Sequence, residues 1–103
     1  MESERKMANQ TEHTYREWAK QHPNFMTPHI VGIRIRGNHI IETSTGTDFD
    51  NKQIWGVTLI QIIKGEYYQT YNTLEKLGLN KMCRTKEEVK EAINRIERYL
   101  KGD

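Results

Sequence analysis

A single cysteine, Cys83, excludes an internal disulfide and a cysteine-rich zinc site from this chain of 103 residues. No apolar run is long enough to span a bilayer, and the polar N-terminus lacks the apolar stretch of a secretion signal. A cytoplasmic location and no membrane partner are the resulting expectations. Charge of one sign is missing too. The 16 Lys and Arg are interspersed with 14 Asp and Glu, for a formal net charge of +2. That mixture excludes the single-sign block of a polyanion-binding tail. A pI near 8.7 permits nucleic-acid binding without arguing for it. The hydrophobic fraction is 35% and the mean hydropathy -0.88, as expected where one helix and one sheet share a single apolar seam.

The clearest pattern lies at the end of the chain. Thr85 and Glu88 stand three apart, so the threonine hydroxyl can accept from the Glu88 amide while the Glu88 carboxylate reaches back. Val89, Ala92, Ile93, Ile96 and Leu100 then recur at helical spacing, and Gly102 closes the run. An apolar stripe of this kind has to lie on something. Glu91 with Arg95 and Glu97 with Lys101 are favourable pairs four apart, which gives the helix charges a structural role.

The middle of the chain reads as β-structure. Over residues 29–36, Val31, Ile33 and Ile35 alternate with Arg34 and Arg36. Gly37 and Asn38 suit a type II′ hairpin turn, and the return over residues 39–45 pairs Ile35 with Ile40 and Ile33 with Glu42. Residues 46–52 read as a loop. Over residues 53–64, Trp55, Val57, Leu59 and Ile63 share one face, while Ile54, Thr58, Ile60 and Ile62 share the other. Apolar residues on both faces mark a central strand covered from two sides. Lys64 and Gly65 form a second turn. Residues 66–77 fit a strand by their tyrosines and threonines, and also a helix stopped by Gly78; the strand is preferred. Residues 1–10 carry no period and are expected to be disordered. A short helix over residues 11–21 places Tyr15, Trp18, Ala19 and His22 on one face and stops at Pro23. The fold class is therefore α+β. An antiparallel meander of three or four strands carries a C-terminal helix on one face and a short N-terminal helix, in one domain spanning 11–103.

Searches for chemistry fail one by one. The histidines at 13, 22, 29 and 39 show no helical four-residue pair and no partner cysteines, so no metal or other cofactor is expected. The run Asp48, Phe49, Asp50, Asn51 resembles the start of a calcium loop but lacks its sixth-position glycine and twelfth-position glutamate. Cys83 has no base placed by spacing, and it reads as a small buried hydrophobe. Neither an enzyme nor a small-molecule site is expected. Two candidate binding features remain. Arg34 and Arg36 project from one strand face beside His39, with Ile41 facing outward next to Arg34. Elsewhere Lys64 neighbours Tyr67, Tyr68 and Tyr71. Aromatics and arginines dominate protein interfaces, so a non-enzymatic interaction module binding another protein or a second copy is the leading expectation. Arginines for phosphates and rings for stacking make DNA or RNA binding the alternative.

Overall fold

Gly37 takes a positive φ of 60° while Asn38 does not, the backbone pattern of a type II′ turn. The turn joins two strands of the sheet. In the computed structural model residues 2–21 and 29–102 are described, with side chains from Asn9 onward. The element order is α1 (Glu2–Gln21), β1 (His29–Arg36), β2 (His39–Thr47), β3 (Gln53–Ile63), β4 (Glu66–Gln69), α2 (Tyr71–Lys76) and α3 (Lys86–Leu100). The four strands form one antiparallel sheet in the order β1-β2-β3-β4. The expected α+β meander with a helix at each end is the observed fold.

The register follows the two-residue turn: Ile35 pairs with Ile40 and Ile33 with Glu42. Parity then divides the sheet into two faces, and each has its own core. On one side Ile41, Val57 and Leu59 meet Ala92 and Ile96 of α3, with Trp55, Val89, Ile93 and Leu100 packed around them. On the other Ile40 and Ile60 meet Tyr15 of α1, flanked by Trp18, Ile33, Ile35, Ile62 and Tyr67. β2 and β3 are buried from both sides, which is why their apolar residues run without alternation. Cys83 joins the α3-side core, and its thiol is pushed up by burial and then by the charge of Glu88. It also makes a bridge to Trp55, with backbone hydrogen bonds of 2.9 and 2.7 Å in the two directions.

The start of α3 is capped as its sequence implies. The Thr85 hydroxyl accepts from the Glu88 amide at 3.1 Å. The Glu88 carboxylate accepts from the Arg84 amide, one residue further back than the capping-box pattern implies. Several expectations are corrected. α1 begins at Glu2, so backbone that was expected to be disordered is helical; His22 and Pro23 lie outside the described residues. β2 continues to Thr47, shortening the loop to residues 48–52. Residues 66–77 are a strand and then a helix, because β4 stops at Gln69 and the chain turns into α2 at Tyr71. Val31, expected on the apolar side, is 57% exposed. The register shifts between Ile30 and Gly32, and this bulge turns Val31 out of the alternation.

Candidate binding edge

Both faces of the sheet are covered, so what stays open is its rim. β4 is an edge of only four residues that leads at once into α2. Beyond it, the β3 edge is held by Thr70 and by Cys83. β1 is the long edge: eight residues with no strand pairing along its outer side among the described residues. The hairpin fixes which backbone groups look outward. Arg36 and His39 close the two-residue turn and form its hydrogen-bonded pair, so Arg34 and Arg36 bond toward β2. Ile33 and Ile35 then direct their N–H and C=O groups away from the sheet. A shallow cleft of ≈ 260 Å³ lies along this rim, lined by Asn9, Glu12, Ile33, Arg34, Ile35 and Arg36.

Arg34 and Arg36 share a face, as the alternation implies, but it is the face that carries α3. Both reach one oxygen of Glu97: Arg36 Nη2 lies 2.6 Å and Arg34 Nη1 3.4 Å from Oε1, and Arg36 Nε donates to it at 2.8 Å. The arginine side chains stay 50% and 46% exposed while Glu97 is 18% exposed. Partial burial pulls the Glu97 carboxyl upward, but the hydrogen bond from Arg36 and the charges of both arginines outweigh it, so its pKa is lowered. Arg36 Nη1 also donates to the Ile35 carbonyl at 2.9 Å, one of the outward edge acceptors. Glu97 was assigned by spacing to Lys101; the fold turns it to β1 instead.

The other expected site residues scatter. Ile41, expected to face outward, is 1% exposed beneath α3, because the outward-looking parity is the parity that α3 covers. His39 is half-buried on the same face, and burial lowers its imidazole pKa. Lys64 sits exposed in the second turn at φ 51°. The three tyrosines do not form one cluster. Tyr67 packs on the α1 side, with ring centroids 5.1 Å from Tyr15 and 4.9 Å from Trp18. Tyr68 points to the opposite side, where its hydroxyl donates to Glu66 at 2.7 Å. Tyr71 is exposed at the start of α2. Arginines and tyrosine rings therefore do not share an open face on which bases could stack.

Two further arrangements escaped the sequence reading. The Tyr15 hydroxyl donates to Glu42 Oε1 at 2.7 Å, tying α1 to β2. Burial raises the Glu42 pKa, against the lowering effects of that hydrogen bond and of Arg16. In the β2–β3 loop the Asp48 carboxylate accepts from the amides of Asp50 and Lys52 at 2.8 and 2.9 Å. Arg84 Nη1 donates to its second oxygen at 2.8 Å, and Phe49 stands fully exposed at the tip. The calcium-like run is thus a self-capped turn whose first carboxylate serves backbone amides and an arginine. Among the described residues no three His, Cys, Asp or Glu side chains converge as metal ligands, and no helix is long and apolar enough to cross a membrane. No protein-family model, no curated protein and no solved structure matches the chain.

Proposed function

We propose that this chain is a non-enzymatic interaction module that binds another protein by taking an extended segment along β1 as a fifth strand. The observation that carries this reading is the outer edge of β1, eight residues long and without strand pairing among the described residues, beside a sheet covered on both faces. Main-chain hydrogen bonds at such an edge supply affinity, and the alternating side chains supply selectivity. The Arg34 and Arg36 guanidiniums flank the edge on one side, and Ile33 and Ile35 with Asn9 and Glu12 of α1 flank it on the other. Scattered tyrosines leave the nucleic-acid alternative with the arginines alone.

The test is residue-resolved. Extended peptides titrated into ¹⁵N-labelled protein should shift the Ile33 and Ile35 amides first and slow their exchange with solvent. Shifts concentrated at Lys64, Tyr68 and Tyr71, with β1 unmoved, would overturn the reading. So would salt-sensitive binding to generic oligonucleotides that disappears in Arg34→Ala/Arg36→Ala while peptides leave β1 untouched.

A further inference from the structure

Resting on that reading of β1, we propose that the segment it accepts is acidic on one side. Its carboxylates displace Glu97 from Arg34 and Arg36, and its apolar side faces α1. Two guanidiniums converge on a single oxygen of Glu97, so one carboxylate serves two cations and a formal charge of +1 remains. Both arginines keep about half their surface in solvent, whereas their carboxylate is mostly covered. Arg34 engages Glu97 through Nη1 alone and keeps N–H groups for a second acceptor, while the three Arg36 nitrogens serve Glu97 and the Ile35 carbonyl and become available as a fork only when those are replaced. The flank of α3 adds to the same sign: Lys90 and Lys101 are seven before and four after Glu97, on its side of the helix, and both are exposed.

Two of the chain's own groups already sit where such a segment would bind. Arg36 Nη1 serves the Ile35 carbonyl, the acceptor that an added strand's amide would take. Glu97 occupies the guanidiniums that its acidic side chains would take. An incoming strand replaces both, and the released Arg36 turns to the incoming carboxylate. The other side of the cleft sets the second half of the pattern. Ile33 and Ile35 are half-buried next to Asn9 and Glu12, whose charge is offset by Arg16 at 3.9 Å, so the side chains facing α1 gain by being apolar.

A second copy is the poorer occupant. Antiparallel pairing of β1 with β1 brings Arg34 and Arg36 of one molecule opposite, or diagonal to, those of the other. Like charges in those positions are destabilising, and the Val31 bulge interrupts the pairing as well.

The probe is a ten-residue peptide alternating glutamate and valine, compared with a glutamine–valine version and with two versions N-methylated at every second amide. Expected are binding of the acidic peptide at β1, weakening by about tenfold or more in the glutamine version and in Arg34→Ala/Arg36→Ala, and loss in one N-methylated phase but not the other. Glu97→Gln, which keeps the side-chain shape, should tighten binding by about threefold, the scale of one exposed ion pair. Equal affinity for the glutamate and glutamine versions, with one methylated phase still excluded, overturns the acidic assignment and leaves the edge reading standing. Acidic binding that tolerates methylation in both phases overturns the edge reading itself. Weaker binding in Glu97→Gln overturns the displacement. No β1 amide shift with the acidic peptide at millimolar concentration overturns the proposal.

Discussion

Replacing Ile96 by alanine tests whether α3 and α1 are roofs on one shared sheet. Ile96 is fully buried between α3 and the cluster of Ile41, Val57 and Leu59. Ile96→Ala removes three carbons, a transfer loss of ~2.4 kcal/mol at ~0.8 kcal/mol each. The cavity left under the helix brings the expected cost to about 3–4 kcal/mol, within the range for such truncations. A chain of this length is worth ~5–15 kcal/mol in total, so the variant folds but unfolds at lower denaturant. With a slope of ~1.5–2 kcal/mol per molar urea the midpoint falls by about 2 M. The two tryptophans allow each layer to be followed. Trp55 packs in the α3-side cluster and Trp18 in the α1-side cluster. In Trp18→Phe and Trp55→Phe backgrounds, fluorescence from the remaining ring should give coincident transitions, both moved by Ile96→Ala. The coupling is covalent: neighbouring Ile40 and Ile41 of β2 belong to opposite cores. A loss below ~1 kcal/mol would refute the burial argument. A Trp55 transition that moves alone would refute the shared sheet.

Glu42 has a raised pKa, so the folded chain holds its proton to higher pH than the unfolded chain. Its contribution is present below the ordinary glutamate value of ~4.3 and is lost as pH rises through the folded value. Glu42→Gln, still an acceptor for Tyr15, should match the parent in urea midpoint near pH 4 and exceed it at pH 7. Glu97 and Asp48 have lowered pKa values and act with the opposite sign; their contributions, present above the ordinary carboxylate range, fade on acidification. A Glu97→Gln titration should therefore be flatter than the parent on the acid side. Thr85→Ala removes the hydroxyl that accepts from the Glu88 amide and should cost about 1 kcal/mol in urea unfolding. Val31→Thr, at the bulge, should stay within about 0.5 kcal/mol of the parent. Ile33→Thr, one step beyond it on the α1 side, should cost more than that.

The elements were legible wherever local chemistry decides them. Thr85 and Glu88 announce a helix start, Gly37 a reversal, and the two apolar parities of residues 53–63 a strand with a roof on each side. Each signal spans a few residues, and the fold respects it. The errors arose where a neighbour decides instead. Val31 keeps the alternation in sequence, but the bulge beside Gly32 changes its parity; a glycine inside a strand is the mark such a bulge leaves, and the alternation alone passes over it. The stretch from Glu66 onward satisfied a strand and a helix because it is both in succession. The reversal from β4 into α2 depends on β3, whose Leu59 carbonyl accepts from the Thr70 hydroxyl and amide.

The candidate site was only half legible, for a reason built into alternation. Parity says which residues share a face; it does not say which face is open. In a sheet covered from one side, Arg34, Arg36 and Ile41 would all face solvent. Under α3 the same parity buries Ile41 in the middle of the sheet and leaves the arginines wet only because β1 is the outermost strand. Their partner, Glu97, is 61 residues from Arg36 along the chain, and its spacing to Lys101 offered a local explanation that was sufficient on its own terms. Position across the sheet, rather than identity along it, separates a core isoleucine from an exposed arginine here. With α3 over one face and α1 over the other, rings and cations cannot gather on an open β-surface. What the two roofs leave open is the long rim of β1, where Ile33 and Ile35 direct backbone groups outward and Arg36 already serves the Ile35 carbonyl.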